Sequence, residues 1–173
     1  MKNTTYQQIA LTAFIVLCIS ILMTSCHKIN RKDLQKEPIE IVHTFPNTNW
    51  AFEEEVLDFG FDIKDTVHAY RIEFVLNYDS AANNIDKLPL TIALSTPDGS
   101  ESVVSSNFNF DPTVNKDITS TGVGSVCEIN LVAFPKKEFN QIGHYNVNFY
   151  RKALKADNFG FNSLTLRVVP VKK

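Results

Sequence analysis

From Ile39 onward, apolar residues recur at every second position, and few folds accept that pattern. Leu57, Phe59, Phe61 and Ile63 alternate with Asp58, Gly60 and Asp62. Tyr70, Ile72, Phe74 and Leu76 alternate with Arg71, Glu73, Val75 and Asn77. Leu88, Leu90, Ile92 and Leu94 form a third set, Cys127, Ile129, Leu131 and Ala133 a fourth. Tyr145, Val147 and Phe149 follow Gly143, and Leu164, Leu166 and Val168 come last. Side chains on a strand point alternately to its two faces, so this period describes strands with one buried face. A shift of one residue would turn each apolar set into water, which fixes the register.

Turn chemistry separates the sets. Asp65-Thr66 follows the first, and Pro97-Asp98-Gly99 follows the third. Proline presets φ there and glycine accepts φ > 0. The only helical candidate, Arg151–Asp157, is too short to organise a layer. The lack of a long amphipathic helix between strands argues against a parallel α/β sheet. The sequence predicts an all-β fold: one antiparallel β-sandwich, jelly-roll or Ig-like, over residues 39–173. Ser100–Gly124 is the least regular region. It predicts a weak strand with Phe108 and Phe110 alternating, then a glycine-bearing loop at Thr121–Ser125.

The N-terminus is of another kind. Met1–Gln8 is polar with one cation, Lys2, and Ile9–Met23 is an apolar run broken only by Thr12 and Ser20. A spanning helix wants about 20 apolar residues, whereas a signal-peptide core is shorter and ends in small residues. Leu22-Met23-Thr24-Ser25-Cys26 then places a thiol behind two small residues, the pattern of a bacterial lipoprotein signal. On this reading residues 1–25 are removed between Ser25 and Cys26, and Cys26 carries lipid. The box is imperfect, since Met23 stands where leucine is usual; an uncleaved membrane anchor is the competing reading. Each buried acyl CH₂ contributes roughly 0.8 kcal/mol, so two or three chains hold the protein on the membrane permanently. Residues 26–38 are charged and end at Pro38, which predicts a flexible tether.

The mature chain would have 148 residues, enough for a single core. It keeps 16 Lys and Arg against 19 Asp and Glu, so nothing favours nucleic acid. Cys18 falls in the leader and Cys26 is the lipid site, leaving Cys127 alone. Its phase with Ile129 and Leu131 predicts a buried small hydrophobe rather than a reactive thiol.

Signatures of catalysis are missing from the sequence. His27, His43, His68 and His144 pair with no His or Cys at metal-ligand spacing, and His144 reads as a turn residue. Glu53-Glu54-Glu55 points to alternate sides of an extended chain, and Asp62, Asp111 and Asp117 make no calcium loop. Gly122-Val123-Gly124 lacks the lysine and helix of a phosphate loop. No metal, cofactor or catalytic residue is expected. Of 19 aromatic residues, Trp50, Phe52, Phe108, Phe110, Phe159 and Phe161 fall off the core phase or in loops. Trp50, Phe52, Phe108 and Phe110 are therefore candidates for an exposed surface that receives a protein partner or stacks on a glycan.

A family pattern joins these pieces. His43-Thr44-Phe45-Pro46-Asn47 is followed by Trp50, then by Phe59-Gly60-Phe61-Asp62-Ile63-Lys64-Asp65-Thr66 and Tyr70-Arg71-Ile72. Later come Thr96-Pro97-Asp98-Gly99, Gly122-Val123-Gly124, Gly143-His144-Tyr145-Asn146-Val147 and Leu164-Thr165-Leu166-Arg167-Val168. In order and spacing the chain resembles the gliding-motility lipoprotein family GldH of the Bacteroidetes over roughly Ile41–Val169. That resemblance implies a lipid-anchored, non-catalytic envelope protein, accessory to gliding and associated with the type IX secretion route. Members also occur in relatives that do not glide. Asn77 and Lys155 stand where the family tends to have arginine, and neither copies a bidentate guanidinium contact. The expected site is the outer membrane, facing the periplasm, because no acidic cluster follows Cys26. Its partners would be the membrane, through the lipid, and envelope proteins; the alternative is an envelope-anchored glycan- or ligand-binding module.

Overall fold

The computed structural model describes residues 37–51, 56–83, 85–151 and 158–173. Eleven strands follow in chain order: β1 (Ile39–Thr44), β2 (Asn49–Trp50), β3 (Val56–Ile63), β4 (Ala69–Asp79), β5 (Lys87–Ser95), β6 (Glu101–Asn109), β7 (Ile118–Ser120), β8 (Val126–Glu138), β9 (Gly143–Arg151), β10 (Asn158–Phe159) and β11 (Phe161–Val171). One sheet runs β1-β11-β4-β8-β7 and a second runs β3-β9-β5-β6, with β10-β2 as a small separate pair. Every pairing is antiparallel.

Set aside β2, β7 and β10, and the other eight strands form two four-stranded sheets. Their order, first-eighth-third-sixth against second-seventh-fourth-fifth, is that of a jelly roll. The sandwich is thus all-β as the alternation predicts, and the connectivity selects the jelly roll over the Ig-like arrangement. The predicted inner positions are inside: Leu57, Phe59, Phe61 and Ile63 are buried while Val56, Asp58, Gly60 and Asp62 are exposed.

Aromatic rings link the sheets. Phe74 of β4 meets Phe59 of β3 at 5.8 Å and Phe149 of β9 at 4.7 Å between ring centroids. Such contacts contribute about 0.5–1.5 kcal/mol each beyond their buried area. At one end, Phe139 plugs the sandwich against Tyr70 and Tyr145. At the other, Trp50 stacks between Phe45 and Phe149. Arg151, buried on the inner side of β9, donates to the Trp50 and Ala51 carbonyls at 3.2 and 2.9 Å and lies over the indole.

Local chemistry ends the strands where the sequence predicts. In the β5–β6 turn, Asp98 accepts from the Ser100 and Thr96 hydroxyls and the Ser100 amide, which lowers its pKa to about 2. Asp65 caps the turn before β4 through the Val67 and His68 amides. Pro135 lies in the irregular stretch of β8 opposite Arg71, where no ladder bond from its nitrogen is needed. Two expectations need correction. Ser100–Gly124 holds not a weak strand but the nine-residue β6, plus β7. Arg151 continues β9, and the rest of the helical candidate, 152–157, lies outside the described residues.

Candidate functional site

The aromatic residues expected on the surface are mostly inside. Trp50 is 0% exposed, Phe108 1% and Phe110 8%; Phe161, also taken as off phase, is fully buried. Phe52 lies outside the described residues, as do Ser25, Cys26 and Glu53–Glu55. Trp50 is drawn in because the chain reverses phase just before it. Pro46–Thr48 forms a tight non-helical turn in which Asn47 and Thr48 take φ of 53° and 54°. Left-handed backbone is unusual for β-branched threonine. Phe108 is the inward residue near the end of β6, and Phe110, just past the strand, keeps the same phase. These rings form no exposed platform.

Phe110 nevertheless marks a site, because its ring borders a cleft at that end of the sandwich. Tyr78, Ser80, Asn83, Ile85, Asp86, Phe110, Pro112, Ile118 and Cys127 line about 420 Å³ of space. A neighbouring recess of 520 Å³ shares Asp86, Phe110 and Pro112, and adds Lys87, Asn109, Asp111 and Val114. Three segments build the walls: the β4–β5 loop, the β6–β7 loop, and β7 with the start of β8. Volumes in this range suit a small ligand or a few residues of a partner chain.

The loop walls are pinned by their own hydrogen bonds. Asp79 accepts from the Ser125 hydroxyl and the Ala81 amide, and these donors lower its pKa. Ser80 donates its amide and its hydroxyl to the Ser125 carbonyl, at 2.9 and 2.8 Å. Asp111 is lowered likewise by the Thr113 hydroxyl and amide. Asn115 ties the far loop to the Asn109 carbonyl at 2.8 Å. Gly160 lies against the Asp79 carbonyl and the Asn83 amide so closely that a Cβ would fall 2.9 and 3.0 Å from them.

Inside, Tyr78 and Phe110 meet edge to face at 5.0 Å. Burial raises the Tyr78 pKa, and the Cys127 thiol beside it adds to the shift. The phenol is therefore a neutral donor at neutral pH. Cys127 is half-buried rather than buried, because its side chain lines the open cleft. At the rim, Asp86 is exposed and its carboxylate makes no hydrogen bond or ion pair among the described residues. The cleft thus offers an apolar floor, a phenol and a free carboxylate.

Sequence reasoning found Phe110 and missed its companions. Tyr78 lies in phase with the core of β4, and Asp86 and Ile118 fall in irregular stretches, so no periodicity marks them. His144 is on β9 and not in a turn; its Nδ1 is 2.9 Å from Asp62 Oδ1 on the outer face. Among the described residues no three His, Cys, Asp or Glu side chains are grouped to hold a metal.

No protein-family model matches the sequence, and no curated protein sequence matches it. The fold has solved likenesses at low identity. A non-crystalline cellulose specific carbohydrate-binding module, CBM28, shares 10% identity and a TM-score of 0.44 over 78% of this chain and 75% of that one. The VP2 subviral particle protein of infectious bursal disease virus shares 15% and 0.39 over 78% of this chain. Latent PorU from Porphyromonas gingivalis shares 8% and 0.38 over 81% of this chain. The chain spans 33% of that VP2 chain and 13% of that PorU chain.

Proposed function

We propose that this chain is a lipid-anchored, non-catalytic module of a bacterial cell envelope, and that it works by holding a protein partner in the end cleft. The anchor rests on Leu22–Cys26, with the apolar run before it and the charged tether after it. Binding in the cleft rests on one observation: Tyr78, Phe110 and the free Asp86 carboxylate converge on about 420 Å³ of open space. Acyl chains confine the module to two dimensions. Confinement raises its effective concentration toward membrane-bound partners, so a small contact suffices. An accessory part in a gliding or type IX secretion apparatus, as the resemblance to the GldH family implies, fits this mode of action.

In-cell photocrosslinking tests it. A crosslinker at Val114, 67% exposed on the cleft rim, is expected to capture a defined envelope protein. One at Ile142, 64% exposed in the β8–β9 loop at the opposite end, is expected not to. Identical adducts from both positions, or none from Val114, contradict the cleft. Gene deletion that leaves spreading and secretion unaltered contradicts the motility role.

A further inference from the structure

The two outer faces of the sandwich differ in exposure and in chemistry. On the five-stranded sheet the outward side chains of β4 and β11 are largely packed down: Glu73 and Val75 are each 4% exposed and Thr165 9%. Val42, Thr165 and Val75 lie in register beside the ion pairs Glu40–Arg167 at 3.0 Å and Arg71–Glu73 at 2.9 Å. On the four-stranded sheet, the adjacent strands β3 and β9 present Asp58 opposite Asn148, Gly60 opposite Asn146, and Asp62 opposite His144. Asp, Asn and Gly are depleted in strands, yet here they fill the middle of a paired ladder. A local rule broken on this scale without structural gain points to a function.

The patch is also organised. Asp62 holds His144 Nδ1 at 2.9 Å, although both side chains are about two-thirds exposed. The other edge of the imidazole lies over Gly60, where a Cβ would be 2.8 Å from Nε2. Glycine therefore lets the ring rest on the sheet, and the carboxylate fixes its orientation. Asn146 Oδ1 is shut from water, with no hydrogen-bond donor among the described residues. Tyr150, 37% exposed, stands at the end of the row between Val56 and Thr91 and adds an aromatic face.

We propose that this face, centred on Asp58, Asn148 and His144 with Tyr150 beside them, binds a neutral saccharide chain. Opposed side chains on neighbouring strands are about 5 Å apart and same-face neighbours along a strand about 7 Å. Short amides and carboxylates at those spacings offer paired donors and acceptors to vicinal hydroxyls, and Tyr150 offers a surface for the C–H face of a ring. Charge sets the class. Asp58, Asp62 and Glu101 face outward on this sheet, and Lys87 at a corner is the only Lys or Arg at an outward position of its four described strands. Anionic polymers and phosphates are thereby disfavoured, and the flat, short-chained surface lacks the deep apolar anchor of a protein hot spot. The site lies apart from the end cleft, and occupation of one does not require the other.

The full lipidated chain in detergent micelles, applied to an array of neutral gluco-, manno-, xylo- and chito-oligosaccharides, tests the proposal. Uronic-acid oligosaccharides and oligolysine serve as comparators. Saturable binding to at least one neutral class is expected. Asn148→Ser and Asp58→Ser are each expected to weaken it about tenfold or more with an unchanged melting temperature, while Asp86→Ser in the cleft leaves it intact. Asp58 is exposed, so its variant reports on binding even if Asn148→Ser disturbs the sheet. No neutral binding, a preference for oligolysine or uronic acids, indifference to both face variants, or equal loss in Asp86→Ser overturns it.

Discussion

Phe74 has no exposed surface and touches rings from two strands of the opposing sheet. Truncating such a side chain removes the burial free energy and leaves a cavity, at a cost of about 3–5 kcal/mol. Whole domains of this size are stable by only about 5–15 kcal/mol. Phe74→Ala is therefore expected to move the urea midpoint strongly downward with little change in slope; a loss below about 1 kcal/mol would deny that Phe74 joins the sheets. Phe74, Phe59 and Phe149 were readable from the sequence because each sits inside a strand of unbroken alternation. Trp50 was not. Its strand is two residues long, and the left-handed pair Asn47-Thr48 resets the phase before it. Phe108 was hidden differently: the other inward residues of β6 are Ser102, Val104 and Ser106, half-buried at a sheet edge. Where a strand needs no fully apolar inner face, alternation no longer distinguishes inside from outside.

Among elements, the β4–β5 turn and the start of β11 depend on each other. The Asp79 amide donates to the Gly160 carbonyl at 2.6 Å, and Gly160 itself has φ of 86°. A side chain there meets backbone atoms on the neighbouring turn as well as an unfavourable conformation. Gly160→Ala is expected to cost about 1–3 kcal/mol. It is also expected to shift the amide resonances of Asp79–Asn83, the cleft wall; unchanged stability and spectra would show that the two elements move independently. Strand positions were legible at this scale and strand partners were not. Alternation states which face of a strand is buried but carries no information on which strand lies beside it. Separating a jelly roll from an Ig-like sandwich required the observed order β1-β11-β4-β8. The cleft was illegible for the same reason, since Tyr78, Asp86, Phe110, Ile118 and Cys127 are brought together only by the strand order. The polar patch on β3 and β9 was half visible, as Asp58, Gly60 and Asp62 alternate with the core residues, but their partners on β9 emerge only from the register.

For the whole molecule, the proposed function joins an expected address to an observed shape. The proposed address rests on a cysteine behind small residues and an apolar run; the shape is a jelly roll with a cleft at one end and a polar face on one sheet. An anchored module can act through weak contacts, because confinement supplies the concentration that a diffusing domain would have to replace with affinity. The most direct measurement of the central claim is metabolic labelling with radioactive palmitate of cells carrying the wild-type chain or Cys26→Ala. Label is expected in the wild type, and none in Cys26→Ala, whose product keeps its 25-residue leader. Label that survives the substitution, or a wild-type chain that takes up none, contradicts the anchor and the function built on it.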